Sequence, residues 1–457
     1  MAETAVVTVM QVRAFRARVA EQPLPAEPAD LVELIAELEA LKASACARQA
    51  EAAVEVDRAR RAERAERGVP AARRGQGVAS EIALARRESP HRGQQLLAFA
   101  KTLRSELAHT AARFHDGELS EWRAILVARE TACLDVGDRR AIDEEVCGDA
   151  ARLDGLGTQA LVAMLRKAAA QRDPGAVVER ARRAESERRV SVRPAPDAMC
   201  YLTALVPTVQ GVAAYASLTK DAEHLHNIEG DPRGKGQLMA DLLHARLTGT
   251  ELPAAEVEAS GEISVSPPAV PLTVNMTISD VALLGGGREA ATITARGVPA
   301  QIIPAEIARR LVSETLNAGT LSAETKAWIR LLYADPAGRL VAMTSKSRYF
   351  PAGLADFLAL RDQGICRTPY CDAPVRHIDH VTAAADGGRT QADSGQGLCE
   401  ACNHAKQGAG WQQHVDPAAQ RHAVATRTPT GHTFTSTAPP PPGVARGDPL
   451  ERSHRAA

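Results

Sequence analysis

Two short cysteine pairs constrain this chain more than any other feature: Cys366 with Cys371 in C-x4-C, and Cys399 with Cys402 in C-x2-C. They take four of the eight cysteines of a 457-residue sequence. Each tight turn brings two thiolates together and the loop between them joins the two knuckles, which is what a tetrahedral, all-cysteine zinc site requires. Such a site has no open position, so its zinc is expected to stabilise the fold and take no part in chemistry. The competing reading is four unrelated buried thiols. Cys46, Cys133, Cys147 and Cys200 are scattered through other sequence and are expected as small core residues. The first residues lack the charged-then-apolar order of a secretory signal, and no run of about 18 apolar residues exists. A cytoplasmic protein with reduced thiols and no membrane span is therefore expected.

Between the pairs, VRHIDHV places His377, Asp379 and His380 on a strand-like run, and Asn403, His404 and Lys406 follow the last cysteine at a helix start. A strand and a helix clamped by zinc bring Asp379 towards Asn403. A carboxylate with a side-chain amide suits Mg²⁺, a hard cation that keeps waters and accepts phosphate oxygens. A neutral imidazole beside it can deprotonate water near pH 7. Phosphodiester hydrolysis needs both.

The rest of the sequence divides by texture. Residues 1–250 are mainly helical. Leu31, Leu34, Ile35, Leu38 and Leu41 recur at three and four, giving one apolar face. Residues 57–67 are almost wholly charged and Ala-rich, read as a solvated helical face or, alternatively, a nucleic-acid arm. Ser89, Ser120 and Thr158 stand where caps belong, and Pro174 opens a further helix. Residues 251–271 read as a linker, 272–350 as a small α+β segment with a hairpin around 335–338, 351–416 as the cysteine-containing domain, and 417–457 as a Pro-rich disordered tail. Gly234-Lys235-Gly236 lacks the spacing of a phosphate loop.

The run at 366–411 resembles the HNH endonuclease domain of the McrA-like branch, through C-x4-C, H-I-D-H-V, A-D-G-G-x-T, G-L-C-E-A-C-N-H-A-K and the closing G-W. More loosely, the Ala/Arg-rich first half, RPAPDAMCYLTALVP and the TPTGHTFTSTAPPPPG tail are similar to actinobacterial 13E12 repeat proteins. The resemblance implies a zinc-stabilised ββα-metal fold that nicks or cuts DNA. It implies His380 as general base, Asp379 and Asn403 as ligands of a catalytic Mg²⁺ or Mn²⁺, and the four cysteines as structural zinc ligands. His377 and Lys406 become phosphate contacts. The family's middle Asn, which braces the loop holding the base, is Ser394 here, with a shorter side chain and one donor instead of two. Residues 341–411 carry seven basic and seven acidic side chains, so no local positive field draws them to a duplex. Phosphate contacts then fall to residues 345–348 or to the helical half. The alternative is a zinc-stabilised nucleic-acid-binding or interaction module with impaired catalysis.

Overall fold

A computed structural model describes residues 7–227, 231, 233–249, 252, 274–284, 287–295, 298–317, 344–345 and 349–441. In chain order the helices and strands begin with α1 (Val9–Glu21), α2 (Pro28–Glu66), α3 (Val78–Arg86), α4 (Pro90–Glu106), α5 (Ala108–His115), α6 (Glu121–Glu130), α7 (Val136–Cys147), α8 (Thr158–Arg172) and α9 (Pro174–Ser186). The hairpin β1 (Arg189–Pro194) and β2 (Cys200–Leu205) follows, then α10 (Thr208–Asn227) and α11 (Lys235–Thr248). Strands β3 (Val274–Thr277), β4 (Ala291–Ala295) and β5 (Val298–Ile303) form an antiparallel sheet, with α12 (Asp280–Leu284) between its first two strands and α13 (Ala305–Asn317) after it.

The last part holds β6 (Thr344–Ser345), α14 (Ala352–Arg361), β7 (His377–His380), β8 (Thr390–Gln391), β9 (Gly395–Leu398), α15 (Glu400–Lys406), β10 (Gln412–Asp416), β11 (Ala423–Arg427) and β12 (Thr433–Thr437). A mainly helical N-terminal region thus precedes a small sheet-containing C-terminal part. The expected linker at 251–271 (Leu252 apart) and the hairpin around 335–338 lie outside the described residues, as do 442–457.

The chain separates into two compact units, Met1–Ala59 with Leu96–Arg180, and Arg60–Gln95 with Ala181–Ala457. The first is a helical core in which Leu107, Phe114, Leu119, Ile142, Leu161 and Leu165 are wholly buried. Its helix starts are chemically satisfied. Ser120 Oγ accepts from the Arg123 amide at 3.4 Å, and Asp135 from Asp138 at 2.8 Å. Buried Asp143 takes the amides of His109 at 2.7 Å and Thr110 at 2.9 Å, closing the start of α5. The expected cap at Thr158 is displaced: α8 begins there, and Gly157 is the capping residue. Cys147 is a core thiol, pushed up to about 11 by burial. Cys200 is exposed on β2 and is no core residue.

The division places residues 60–95 with the C-terminal part, where the sequence suggested a separate helical half. Arg64 is 5% exposed and donates to the carbonyls of Arg74 at 2.8 Å, Gln76 at 2.7 Å and Ala409 at 3.4 Å. Glu81 accepts from the Thr430 amide at 2.9 Å. The charged run at 57–67 is therefore partly packed. A buried guanidinium with several carbonyl acceptors is tolerated because its donors are satisfied.

Residues 417–441 are not a disordered tail. Strands β10, β11 and β12 form an antiparallel sheet in register from Asp416↔Ala423 and Arg427↔Thr433. Alternating β-branched residues and a turn ending in Gly431, with φ of +86°, favour this pairing. Arg367 ties the sheet down by donating to the carbonyls of His422 at 3.1 Å and Ser436 at 2.9 Å.

Candidate metal centre and the Asp379–His380 strand

The C-x4-C turn and the start of α15 bring Cys366, Cys371, Cys399 and Cys402 together, all buried, with their sulfur atoms within 4.8 Å of one another. Tetrahedral zinc with bonds of about 2.3 Å separates its sulfurs by roughly 3.8 Å. The Cys371 and Cys399 sulfurs are 3.8 Å apart. Cys399 also sits at the N-cap of α15, accepting from the Cys402 amide at 3.5 Å. Hydrogen bonds from the Cys366, Cys371 and Cys402 thiols hold Cys399 well below the usual thiol range, while the same cluster pushes Cys371 and Cys402 up. Four sulfurs at this spacing match the ligand set of a tetrahedral cation, and the cluster can hold a structural zinc. It is the one grouping of three or more His, Cys, Asp or Glu ligands among the described residues.

Strands β7 and β9 pair antiparallel, with Asp379 opposite Gln396 and His380 opposite Gly395. Side chains alternate along a strand, so His377 and Asp379 share one face while Ile378 and His380 share the other. The second face packs on α14. Ile378 joins the cluster of Leu354, Phe357 and Leu358, and the His380 ring lies 4.5 Å from the Phe350 ring. Glycine is required opposite them: a Cβ at Gly395 would stand 2.5 Å from Leu358 Cδ1, and one at Gly397 2.6 Å from Val375 Cγ2.

His380 is 7% exposed, and its Nε2 lies 3.0 Å from Thr390 Oγ1. Burial lowers its pKa, opposed by Asp379 and reinforced by Lys406. On the other face, Lys406 Nζ sits 2.6 Å from Asp379 Oδ2 and also donates to the His380 carbonyl. Asn403, one helical turn before Lys406, shares its side of α15. Its Oδ1 is buried with no hydrogen-bond partner. His377 is exposed.

Ser394 braces its own loop. Its hydroxyl donates to the carbonyl of Arg389 and lies 3.3 Å from that of Gln391, and its carbonyl accepts from the Val381 amide at 2.7 Å. None of these hydrogen bonds reaches the His380 ring. That contact falls to Thr390, which β8 presents while pairing with β6 (Ser345↔Thr390). Beneath the loop, buried Asp362 accepts from Arg361 Nε at 2.9 Å and from the Gly397 amide at 2.8 Å. Arg361 in turn donates to the Ala392 carbonyl at 2.7 Å and the Gly395 carbonyl at 2.8 Å. This pair fixes β9 and the loop before it to α14.

The structure thus gathers Cys366, Cys371, Cys399 and Cys402, joins Asp379 to Lys406, and turns His380 to the opposite face of β7. Thr390, Phe350 and Gln396 escape sequence reasoning. Gln396 is fully buried, donating to Gln413 Oε1 at 2.7 Å, with its own Oε1 unpartnered. Thr390 stands within the A-D-G-G-x-T run, but nothing in that run marks its hydroxyl as the imidazole's partner. No helix among the described residues is long and apolar enough to cross a membrane.

No curated protein and no solved structure matches the chain. A family model described as a domain of unknown function (DUF222) matches residues 37–362, ending short of Cys366. That match spans well over half of the sequence, and the chain belongs to the DUF222 family.

Proposed function

We propose that residues 366–411 are an HNH-like module, of the kind found in 13E12 repeat proteins, that hydrolyses or nicks DNA phosphodiester bonds. The observation that carries the reading is the set of side chains around β7: Asp379 and His380 on the strand, Asn403 and Lys406 on the helix that the four cysteines anchor. A closed zinc site has no need of such a set.

The unpartnered Asn403 Oδ1 fits a hard-cation or water ligand, and Asp379, tied to the same helix through Lys406, is the proposed carboxylate ligand. Magnesium or manganese bound there would stabilise charge on the phosphate and the leaving oxygen. The chain's own residues do the remainder. His380, kept neutral by burial, is the proposed base for the attacking water, a role that requires its ring to turn from the Phe350 face of β7 towards Asp379. In the tautomer whose Nε2–H is given to Thr390 Oγ1, Nδ1 is the basic atom; in the other, Thr390 donates to Nε2. Exposed His377 is the proposed phosphate contact, joined by Lys406 where its ammonium is released from Asp379.

A second reading, a zinc-stabilised binding module, is favoured by one observation: an ammonium already neutralises Asp379. Plasmid nicking in Mg²⁺ or Mn²⁺, with EDTA and His380→Ala as controls, separates the two. The nuclease reading expects His380→Ala to lose about 10²–10⁴ in rate at unchanged DNA affinity. A zinc-loaded protein that binds DNA and never nicks it, Ser394→Asn included, belongs to the second reading.

A further inference from the structure

The N-terminal helices turn their apolar stripes away from their own core. Helix α2 buries Ala43, Ala47 and Val54 among the core side chains, and Gly117 leaves room for Ala40 on that side. At 100° per residue, the stripe of Leu31, Leu34, Ile35, Leu38 and Leu41 lies on the opposite side of the helix. Ile35 is 68% exposed and Leu38 39%. Helix α1 has a capping box between Thr8 and Gln11, yet none of its 13 residues is buried. Its own stripe is Val12, Phe15 and Val19, at 56%, 44% and 42% exposure. A helix this short is marginal in water without an apolar face to pack on.

The flanks of the two stripes carry opposite charge. Arg16 and Arg18 border the stripe of α1, and Asp30 and Glu37 border that of α2. None of these four makes an ion pair among the described residues. Every copy of the chain therefore presents both halves of a complementary pair, and leaves both open. From this charge complementarity we infer that the occupant is a second copy of the chain. Helix α1 of each copy lies along the leucine stripe of the other, so that the two contacts are related by a two-fold axis. Arg16 and Arg18 of one copy then face Asp30 and Glu37 of its partner, while the stripes exclude water between them.

Sedimentation equilibrium of the full chain tests this. The expected species has twice the 48.5 kDa mass of the chain. Val12→Glu and Ile35→Glu alter exposed positions, so circular dichroism should be unchanged while the dissociation constant rises at least about 100-fold, because each buries an unpaired charge. The double variant R16E/R18E weakens self-association, and mixing it with D30R/E37R restores a mixed dimer. A 48.5 kDa species at every concentration reached overturns the proposal. So does a dimer that both Glu variants leave intact, or a monomer whose α1 amides are protected from exchange, which would mean that α1 covers its own α2.

Discussion

Lys406 and Asp379 are held 2.6 Å apart, and the same ammonium donates to the His380 carbonyl, so one side chain of α15 grips both members of the Asp-His pair. A divalent ion at Asp379 must share that carboxylate with the ammonium or displace it. Lys406→Met should therefore tighten Mn²⁺ binding by about 3–10-fold, a modest gain because the pair is partly solvent-screened. Calorimetric titration reads it directly; equal affinity in both proteins means that the ammonium does not compete.

Zinc is the second point of test. Elemental analysis should find about one zinc per chain, and Cys399→Ser should lose it. Because binding energy at such a site is also folding energy, the C-terminal part should then unfold while the helical core of the first unit keeps its own transition. Differential scanning calorimetry with and without chelator distinguishes the two transitions. A zinc-free protein with an unchanged thermogram would contradict the assignment.

Thr390 Oγ1 lies 3.0 Å from His380 Nε2, so on the proposed reading it positions the ring. Thr390→Val removes the hydroxyl at nearly constant volume and should lower kcat of the proposed nicking reaction by about 10–100-fold, with KM unchanged, as a misplaced base would. Thr390→Ser keeps the hydroxyl and should retain most activity. A Ser variant as poor as the Val variant would assign Thr390 to packing alone.

His422 makes stability depend on pH. Burial lowers its pKa to about 4, with Arg361 and Arg367 adding to the shift and Asp362 and the Asp393 carbonyl opposing it. Between pH 4 and its ordinary value of 6.5 the unfolded chain binds more protons than the folded one, so stability rises with pH through that window. Acidification from pH 6.5 to 4 should cost up to about 3 kcal/mol through this group. His422→Gln removes the titration, and its urea midpoint should fall less over the same range than that of the parent protein. Parallel declines would exclude His422 as the cause.

What could be read from the sequence was local. Cys366 with Cys371, and Cys399 with Cys402, are each joined by a few residues, so spacing alone brings each pair together. Helix starts at Ser89, Ser120 and Pro174 are likewise set within one turn. The Thr390 contact was hidden because it depends on a two-residue strand pairing with Ser345, which leaves no periodic signal. Arg64 was hidden for another reason: in a run of charges, a guanidinium with three carbonyl acceptors looks the same as a solvated one. In β11 and β12 the prolines and threonines after Asp416 masked an alternation that only a third strand makes stable. His380 illustrates the remaining gap, since adjacent residues on a strand point to opposite faces and the Asp-His pair separates accordingly.

The bond from Arg64 to Ala409 spans 345 positions of sequence. At a synthesis rate of about 5–20 residues per second, Arg64 leaves the ribosome roughly 20–70 s before its partner exists. Over that interval the guanidinium has no carbonyl of Ala409, Gly77 has no Trp411 indole beside it, and Glu81 has no Thr430 amide. The second unit is thus the last to mature on a growing chain, although its first residues are made before most of the helical core. On the growing chain, residues 60–95 therefore wait for their partners while the helical core between residues 96 and 180 is already complete in sequence.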